Sequence, residues 1–154
     1  RVVWFGRGPH ENYIDRQICS HVGLYRAKVE DLYVPYIHPT ENGGRSDIRF
    51  VALTDERGEG LLVCGDSLLQ FSAHFCTTRD LYMAKHTVDV PRRETITLSI
   101  DHKHMGVGGD DSWSPRVHEP YLIHPGRFRY KLFLRALNAG DDPSRVYREE
   151  LAAL

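Results

Sequence analysis

Leu69–Phe75 reads LQFSAHF. Leu69, Phe71, Ala73 and Phe75 alternate with Gln70, Ser72 and His74. In extended backbone, successive side chains point to opposite faces, so the four apolar residues share one side. The stretch predicts a strand with one buried face and one wet face, as in antiparallel sheets. The same period recurs in Thr95–His102, where Ile96, Leu98 and Ile100 oppose Thr95, Thr97, Ser99 and Asp101. In Arg127–Leu134, Phe128, Tyr130, Leu132 and Leu134 oppose Arg127, Arg129 and Lys131. Asp47–Thr54 and Gly60–Cys64 flank Asp55-Glu56-Arg57-Gly58, a polar hairpin turn. Val2–Phe5 and Arg116–Ile123 complete the set of strands. Short strands with regular turn punctuation predict an all-β fold, an antiparallel β-sandwich.

Helix is scarce. Thr77 or Thr78 caps a short helix through His86, with Asp80 in its first turn. The tail carries a short C-terminal helix. Asp142 suits its N-cap, Pro143 suits N1, and Tyr147, Leu151 and Leu154 lie on one stripe. Residues 1–135 are thus expected as a β-sandwich domain, and 136–154 as a linker and helix.

The chain has 154 residues, enough for one domain with a sizeable core. Lys and Arg number 20 against 21 Asp and Glu, a formal net charge of -1. That balance offers no basic footprint for nucleic acid or for an anionic membrane. No apolar run is long enough to span a bilayer. Cys19, Cys64 and Cys76 fit neither a disulfide framework nor a zinc ribbon. Free thiols suit a reducing, cytoplasmic setting. The chain starts at Arg1, directly in strand-like sequence, which suggests a cut from something longer.

Three stretches are neither strand nor helix yet are rich in chemistry: GRGPHENYIDR at Gly6–Arg16, YVPYIHPTENGGR at Tyr33–Arg45, and KHMGVGGDDSWSP at Lys103–Pro115. Long polar loops on a β scaffold are where sites usually sit. Their carboxylates include Glu11, Asp15, Glu41, Asp110 and Asp111. None, with Glu119 beyond them, sits in a motif that specifies a general acid or a nucleophile. Asp15 beside Arg16, and Glu41 near Arg45, read as loop-pinning ion pairs. Gly108-Gly109-Asp110-Asp111 lacks the alternating ligands of a calcium loop. His102 and His104 would share a strand face, but no HExxH or Cys/His cluster accompanies them, so no metal site is assigned. Ser112 and Ser114 lack a nucleophile elbow. Trp113 stands out, an indole in a Gly/Asp/Ser/Pro loop rather than in a period-two run. It is either a flat plate on which a sugar face stacks or a plug over the end of the fold. Trp4, inside the first strand, belongs to the core.

These loops carry a resemblance. Gly6–Arg16, PYIHPTENGGR at Pro35–Arg45 and above all HMGVGGDDSWSP at His104–Pro115 resemble the C-terminal small-chain domain of the bacterial β-galactosidases of glycoside hydrolase family two. PGRFRYKLFLR at Pro125–Arg135 is similar to that family's closing strand. The match runs from Val3 to Arg135; the tail has no counterpart. The family's terminal domain is longer, and this sequence is similar to its second half. The resemblance implies part of a galactose-mutarotase-like supersandwich, with an exposed edge and apolar surface where first-half strands would lie.

The resemblance also implies a function. The glutamates of a retaining hydrolysis of terminal β-D-galactosides would sit in a TIM barrel elsewhere, so no catalytic residue is expected here. The partners it implies are the rest of the β-galactosidase chain, a galactoside substrate and, in the full-length enzyme, further copies of itself. No cofactor is expected in this segment; family members often use Mg2+ and Na+ elsewhere. The family's DDSW tryptophan, which stacks on sugar or aglycone, matches Trp113. Asp110, Asp111 and Ser112 are expected to hold that loop's shape. Two other functions compete. A free-standing aldose epimerase or mutarotase would need a paired acid and base, His and Glu. An independent carbohydrate-binding module would offer several exposed aromatics in a row.

Overall fold

A computed structural model describes residues 1–152. Six strands form one antiparallel sheet: β1 (Val2–Gly8), β2 (His21–Ala27), β3 (Arg45–Thr54), β4 (Gly60–His74), β5 (Thr97–Asp101) and β6 (Leu132–Leu137). Their order is β2-β1-β3-β4-β5, and β6 also pairs β4. Two helices are added, α1 (Thr78–Met83) and α2 (Pro143–Ala152). No helix among the described residues is long and apolar enough to cross a membrane.

The central strand is longer than its pattern suggests. Gly60–Cys64 and Leu69–Phe75 were expected as two strands, but β4 is continuous through Gly65–Leu68. The register jumps there, from Phe50↔Cys64 to Ile48↔Leu69. Asp66 holds the irregularity: its Oδ1 accepts from Lys131 N, and its own N–H donates to the Lys131 carbonyl. Ladder pairing lapses at Asp66–Leu68 and resumes at Leu69, as at a bulge. The two ends of β4 therefore serve different neighbours. Gly60–Gly65 pairs with β6 and Gln70–His74 pairs with β5.

Both faces of the sheet are covered. On one, Val2, Trp4, Ile48, Val51, Val63 and Phe71 pack with Val29 and Leu32, from a 3-10 turn at Val29–Leu32. On the other, Phe50, Ala52, Leu62 and Cys64 pack with Leu137 and with Val146 of α2. The fold is all-β and antiparallel with a short C-terminal helix. Among the described residues, the layers facing the sheet are loops and α2 rather than a second sheet. Gln70, Ser72 and His74, expected to be wet, are buried. The Tyr33–Arg45 loop lies over this end of β4, and His74 Nε2 is 2.9 Å from the Asn42 carbonyl.

Four expectations change. Arg116–Ile123 is not a strand; Pro120 removes a ladder donor, and Glu119–Tyr121 forms a 3-10 turn. The strand expected at Arg127–Leu134 pairs only from Leu132, and runs on to Leu137. α1 ends at Met83, not His86. Thr77 and Asp80 close a capping box at its start, and Arg93 grips Asp80 from outside with two bonds of 2.6 Å. In α2, Val146 is the buried residue, Tyr147 packs on Phe50 with ring centroids 5.1 Å apart, and Leu151 is exposed. Leu154 lies outside the described residues. Asp142 does cap this helix, accepting from Ser144 N at 3.0 Å. α2 rests on the sheet through Val146.

One strand has no clear period-two signal. β2 is an edge strand whose Val22 and Leu24 face solvent. What holds it is Tyr25, stacked on Trp4 at 5.4 Å and lying over Gly8 and Gly23. A Cβ on Gly8 would come within 2.8 Å of the Tyr25 ring.

Candidate functional site

The three chemistry-rich loops join at one end of the sheet, and Gly6–Arg16 is the piece that binds the other two. Asn12 is fully buried. Its N–H donates to the Gly44 carbonyl at 2.8 Å, and its Oδ1 accepts from the Ser46 N–H and hydroxyl at 2.9 and 2.6 Å. Glu11 accepts from Gly43 N at 2.8 Å with one oxygen and from the Tyr36 hydroxyl with the other. Burial, with Glu11 beside it, pushes the Tyr36 phenol up to about 12. Asp15 reaches the third loop, where its Oδ2 accepts from Gly108 N at 2.9 Å.

Arg45 is the buried cation of this cluster. Nη1 donates to the carbonyls of Gly43 at 2.6 Å and Leu32 at 3.3 Å; Nη2 donates to that of Pro9 at 3.0 Å. The guanidinium also lies 5.6 Å from the Trp4 ring centroid. The expected Glu41–Arg45 and Asp15–Arg16 ion pairs are not among those formed by the described residues. Backbone carbonyls take the place of Glu41 at Arg45, because the loop folds its own peptide groups inward. A buried peptide group needs a partner.

Under the third loop runs a cleft of about 550 Å³, lined by Tyr13, Tyr36, Glu41, His104, Val107 and Val117 among others. The Tyr13 hydroxyl donates to Glu41 at 3.3 Å and accepts from Gly44 N at 3.2 Å. The Tyr13 phenol is pushed far up, chiefly by burial and then by the Glu41 charge. Although Glu41 as a residue is exposed, the protein around its carboxyl raises that group's pKa. His104 and the Tyr13 hydroxyl oppose the rise. The rings of His104 and Tyr13 are 5.4 Å apart. Glu41, Tyr13 and His104 thus meet in space, a grouping that linear spacing does not announce.

The loop above the cleft turns on Gly108 and Gly109, whose φ values of 64° and 80° fall where residues with a Cβ are strained. Asp111 Oδ1 accepts from the N–H groups of Trp113 at 2.9 Å and Ser114 at 2.7 Å. Such an Asx turn fixes a loop locally. Asp110 lies 2.8 Å from His118 Nε2, in an exposed pair. Ser112 makes no side-chain hydrogen bond among the described residues; Ser114 Oγ accepts from Arg116 N at 3.1 Å. At the apex the Trp113 side chain is 87% exposed. It is not folded back as a plug. Among the described residues no three His, Cys, Asp or Glu side chains converge as a metal site.

His74 carries a pH signature. Burial is the main cause that holds its imidazole below the usual value, with the Asn42 carbonyl opposing. The unfolded chain therefore binds a proton near pH 6.5 that the folded chain refuses. Stability should rise with pH up to that value and fall as pH drops below it. Melting temperature measured from pH 5 to 7 should show the rise, and His74→Gln should flatten it.

A sequence model of one family, described as beta galactosidase small chain, matches residues 1–134. Full-length relatives agree. The chain is 42% identical over 134 residues to a beta-galactosidase of Pseudoalteromonas haloplanktis and 44% identical over 134 residues to one of Vibrio cholerae. To one of Priestia megaterium it is 34% identical over 126 residues. These alignments cover 87%, 87% and 82% of this chain, and 12% of each relative's length. The region matched by the family model takes in all three loops and stops within β6. On that match, the chain belongs to the beta galactosidase small chain family.

Proposed function

We propose that this chain serves as the C-terminal domain of a β-galactosidase that hydrolyses terminal β-D-galactosides with retention, and that it contributes a binding surface rather than the catalytic pair. The observation that carries this reading is Trp113, an exposed indole held out on a loop braced by Asp111 and Asp15. Sugar rings present C–H faces that stack on such a plate, so Trp113 contacts sugar or aglycone at a site completed by the rest of the polypeptide. Asp110 and Asp111 shape its loop. Ser112 sits between Asp111 and Trp113 in that loop, within the turn that Asp111 closes. The rest of the β-galactosidase chain is the immediate partner, and the assembled enzyme is a homo-oligomer. The outer sides of β5 and β6, and the exposed Leu134, suit a sheet that continues into a galactose-mutarotase-like supersandwich.

Two of the loop carboxylates brace the loops. Both oxygens of Glu11 are occupied by Gly43 and Tyr36, and Glu41 receives Tyr13. The purified segment is expected to turn over no nitrophenyl galactoside; sustained turnover from a preparation free of host enzyme would sink this reading. The role of Trp113 is tested by Trp113→Ala in the full-length enzyme, read as KM beside melting temperature.

A second reading has one observation in its favour. Glu41 and His104 line one cleft, and an aldose epimerase needs such an acid and base. A polarimetric mutarotation assay separates the two: acceleration by the segment, lost in His104→Ala, would replace the first reading with the second.

A further inference from the structure

The Trp113 side chain is exposed, so its own packing does not hold it in place. Its position is inherited from the backbone of its loop. Asp111 sets the local turn by accepting from the N–H groups of Trp113 and Ser114, its near neighbours in sequence. Further ties run to the segment that follows the loop: Gly106 N donates to the Tyr121 carbonyl at 2.9 Å, and His118 Nε2 lies 2.8 Å from Asp110. These bonds relate the loop to itself and to its own continuation, not to the sheet. Asp15 supplies that link. Its Oδ2 accepts from Gly108 N at 2.9 Å, across 93 positions of sequence. Earlier in the same loop as Asp15, Asn12 is fully buried and bonded to Gly44 and to Ser46 of β3. A braced path thus runs from β3 through Asn12 and Asp15 to Gly108. The glycines of the third loop are fitted to it. A Cβ on Gly106 would come within 2.5 Å of Asp15 Oδ2 and 2.7 Å of its Cγ. Gly108 holds φ at 64°, which glycine adopts without strain, and its N–H meets the carboxylate from there. Asp111 therefore shapes the turn, and Asp15 decides where the turn stands.

We propose that Asp15 is the positioning residue for the Trp113 platform, fixing the indole where sugar or aglycone meets it. Its role rests on the reading that Trp113 contacts that ligand. A platform held in place before binding does not have to be ordered by the ligand, and affinity rises accordingly. Without the Asp15 carboxylate the turn keeps its Asp111 bonds but loses its tie to the first loop. The indole is then present and no longer aimed. Asp15 acts through Trp113, so its loss is read in KM with kcat little changed.

The test is steady-state kinetics of the full-length enzyme on a nitrophenyl galactoside, beside thermal melts, for Asp15→Ala, Trp113→Ala and the double variant. Asp15→Ala should raise KM about 3–30-fold, with the effect of truncating Trp113 itself as the ceiling. In the Trp113→Ala background it should add at most about 2-fold, because substitutions that act through one contact are not additive. Asp15→Asn should stay within about 3-fold of the wild type, since an amide oxygen also accepts from Gly108 N. If Asp15→Ala fails to fold, Gly106→Ala decides: Gly106 is not left-handed, and the added methyl pushes the carboxylate off Gly108 from the other side. Asp55→Ala, which loosens the hairpin at the other end of β3, should lower the melting temperature and leave KM alone. An unchanged KM in Asp15→Ala, where Trp113→Ala raises it, would overturn the proposal and leave the platform reading standing. Additive losses in the double variant, or an equal rise in KM from Asp55→Ala, would also overturn it. An unchanged KM in Trp113→Ala would end the platform reading and this proposal with it.

Discussion

Arg45→Met should lower the stability of the domain by about 1–3 kcal/mol, the cost of leaving buried polar groups without their donor. Methionine keeps most of the stem's volume, so the loss comes from the head group. The guanidinium serves the carbonyls of Pro9, Leu32 and Gly43. Without it, three inward-facing carbonyls lose a donor, and a buried group left unsatisfied costs about 1–3 kcal/mol. Burial is the main cause that pushes the Arg45 guanidinium down to about 10, and Glu11 and Tyr13 oppose it. It is therefore still charged at neutral pH. Arg45→Lys should recover little, because one ammonium cannot span the positions that a planar fork reaches. Urea denaturation checks this through the transition midpoint at unchanged slope. A shift worth under 1 kcal/mol would mean that the loops hold without this cation.

Trp113→Ala in the full-length enzyme should weaken substrate or acceptor binding by about 1–3 kcal/mol, the cost of truncating a well-used contact. It should leave the melting temperature nearly unchanged. The two effects separate because the side chain is 87% exposed, and removing exposed apolar surface withdraws little from the fold. The backbone N–H of residue 113 still donates to Asp111, so the turn survives the substitution. Kinetics with galactosides of differing aglycone, beside a thermal melt, gives both numbers. An unchanged KM would end the platform assignment.

Much of the sheet was legible because its signals are local. The hairpin at Asp55–Gly58 is stated by its own residues: Asp55 Oδ1 accepts from the N–H groups of Arg57 and Glu59. β3 and β4 run antiparallel on either side of it. The capping residues of α1 and α2 act on backbone two or three positions away, so they too were readable. β2 was not, because its stabilising contacts are across the sheet. Tyr25 needs Trp4, Gly8 and Gly23, and only the pairing of β1 with β2 brings them together. Arg116–Ile123 erred in the other direction: apolar residues near a proline suggested a strand that has no partner to pair with.

The site divides along the same line. The sequence alone determined that the chain is antiparallel β, that three long polar loops interrupt its strands, and that Trp113 stands apart from the core pattern. Those follow from side-chain alternation, from glycine and proline at turns, and from residue type, all properties of neighbours along the chain. Only the tertiary structure decided that Arg45 binds carbonyls rather than Glu41, that Gln70, Ser72 and His74 are buried, and that Trp113 is presented rather than tucked in. Each of these depends on which loop lies over which strand. Burial and hydrogen-bond partners are settled by groups distant in sequence, and no local pattern encodes them.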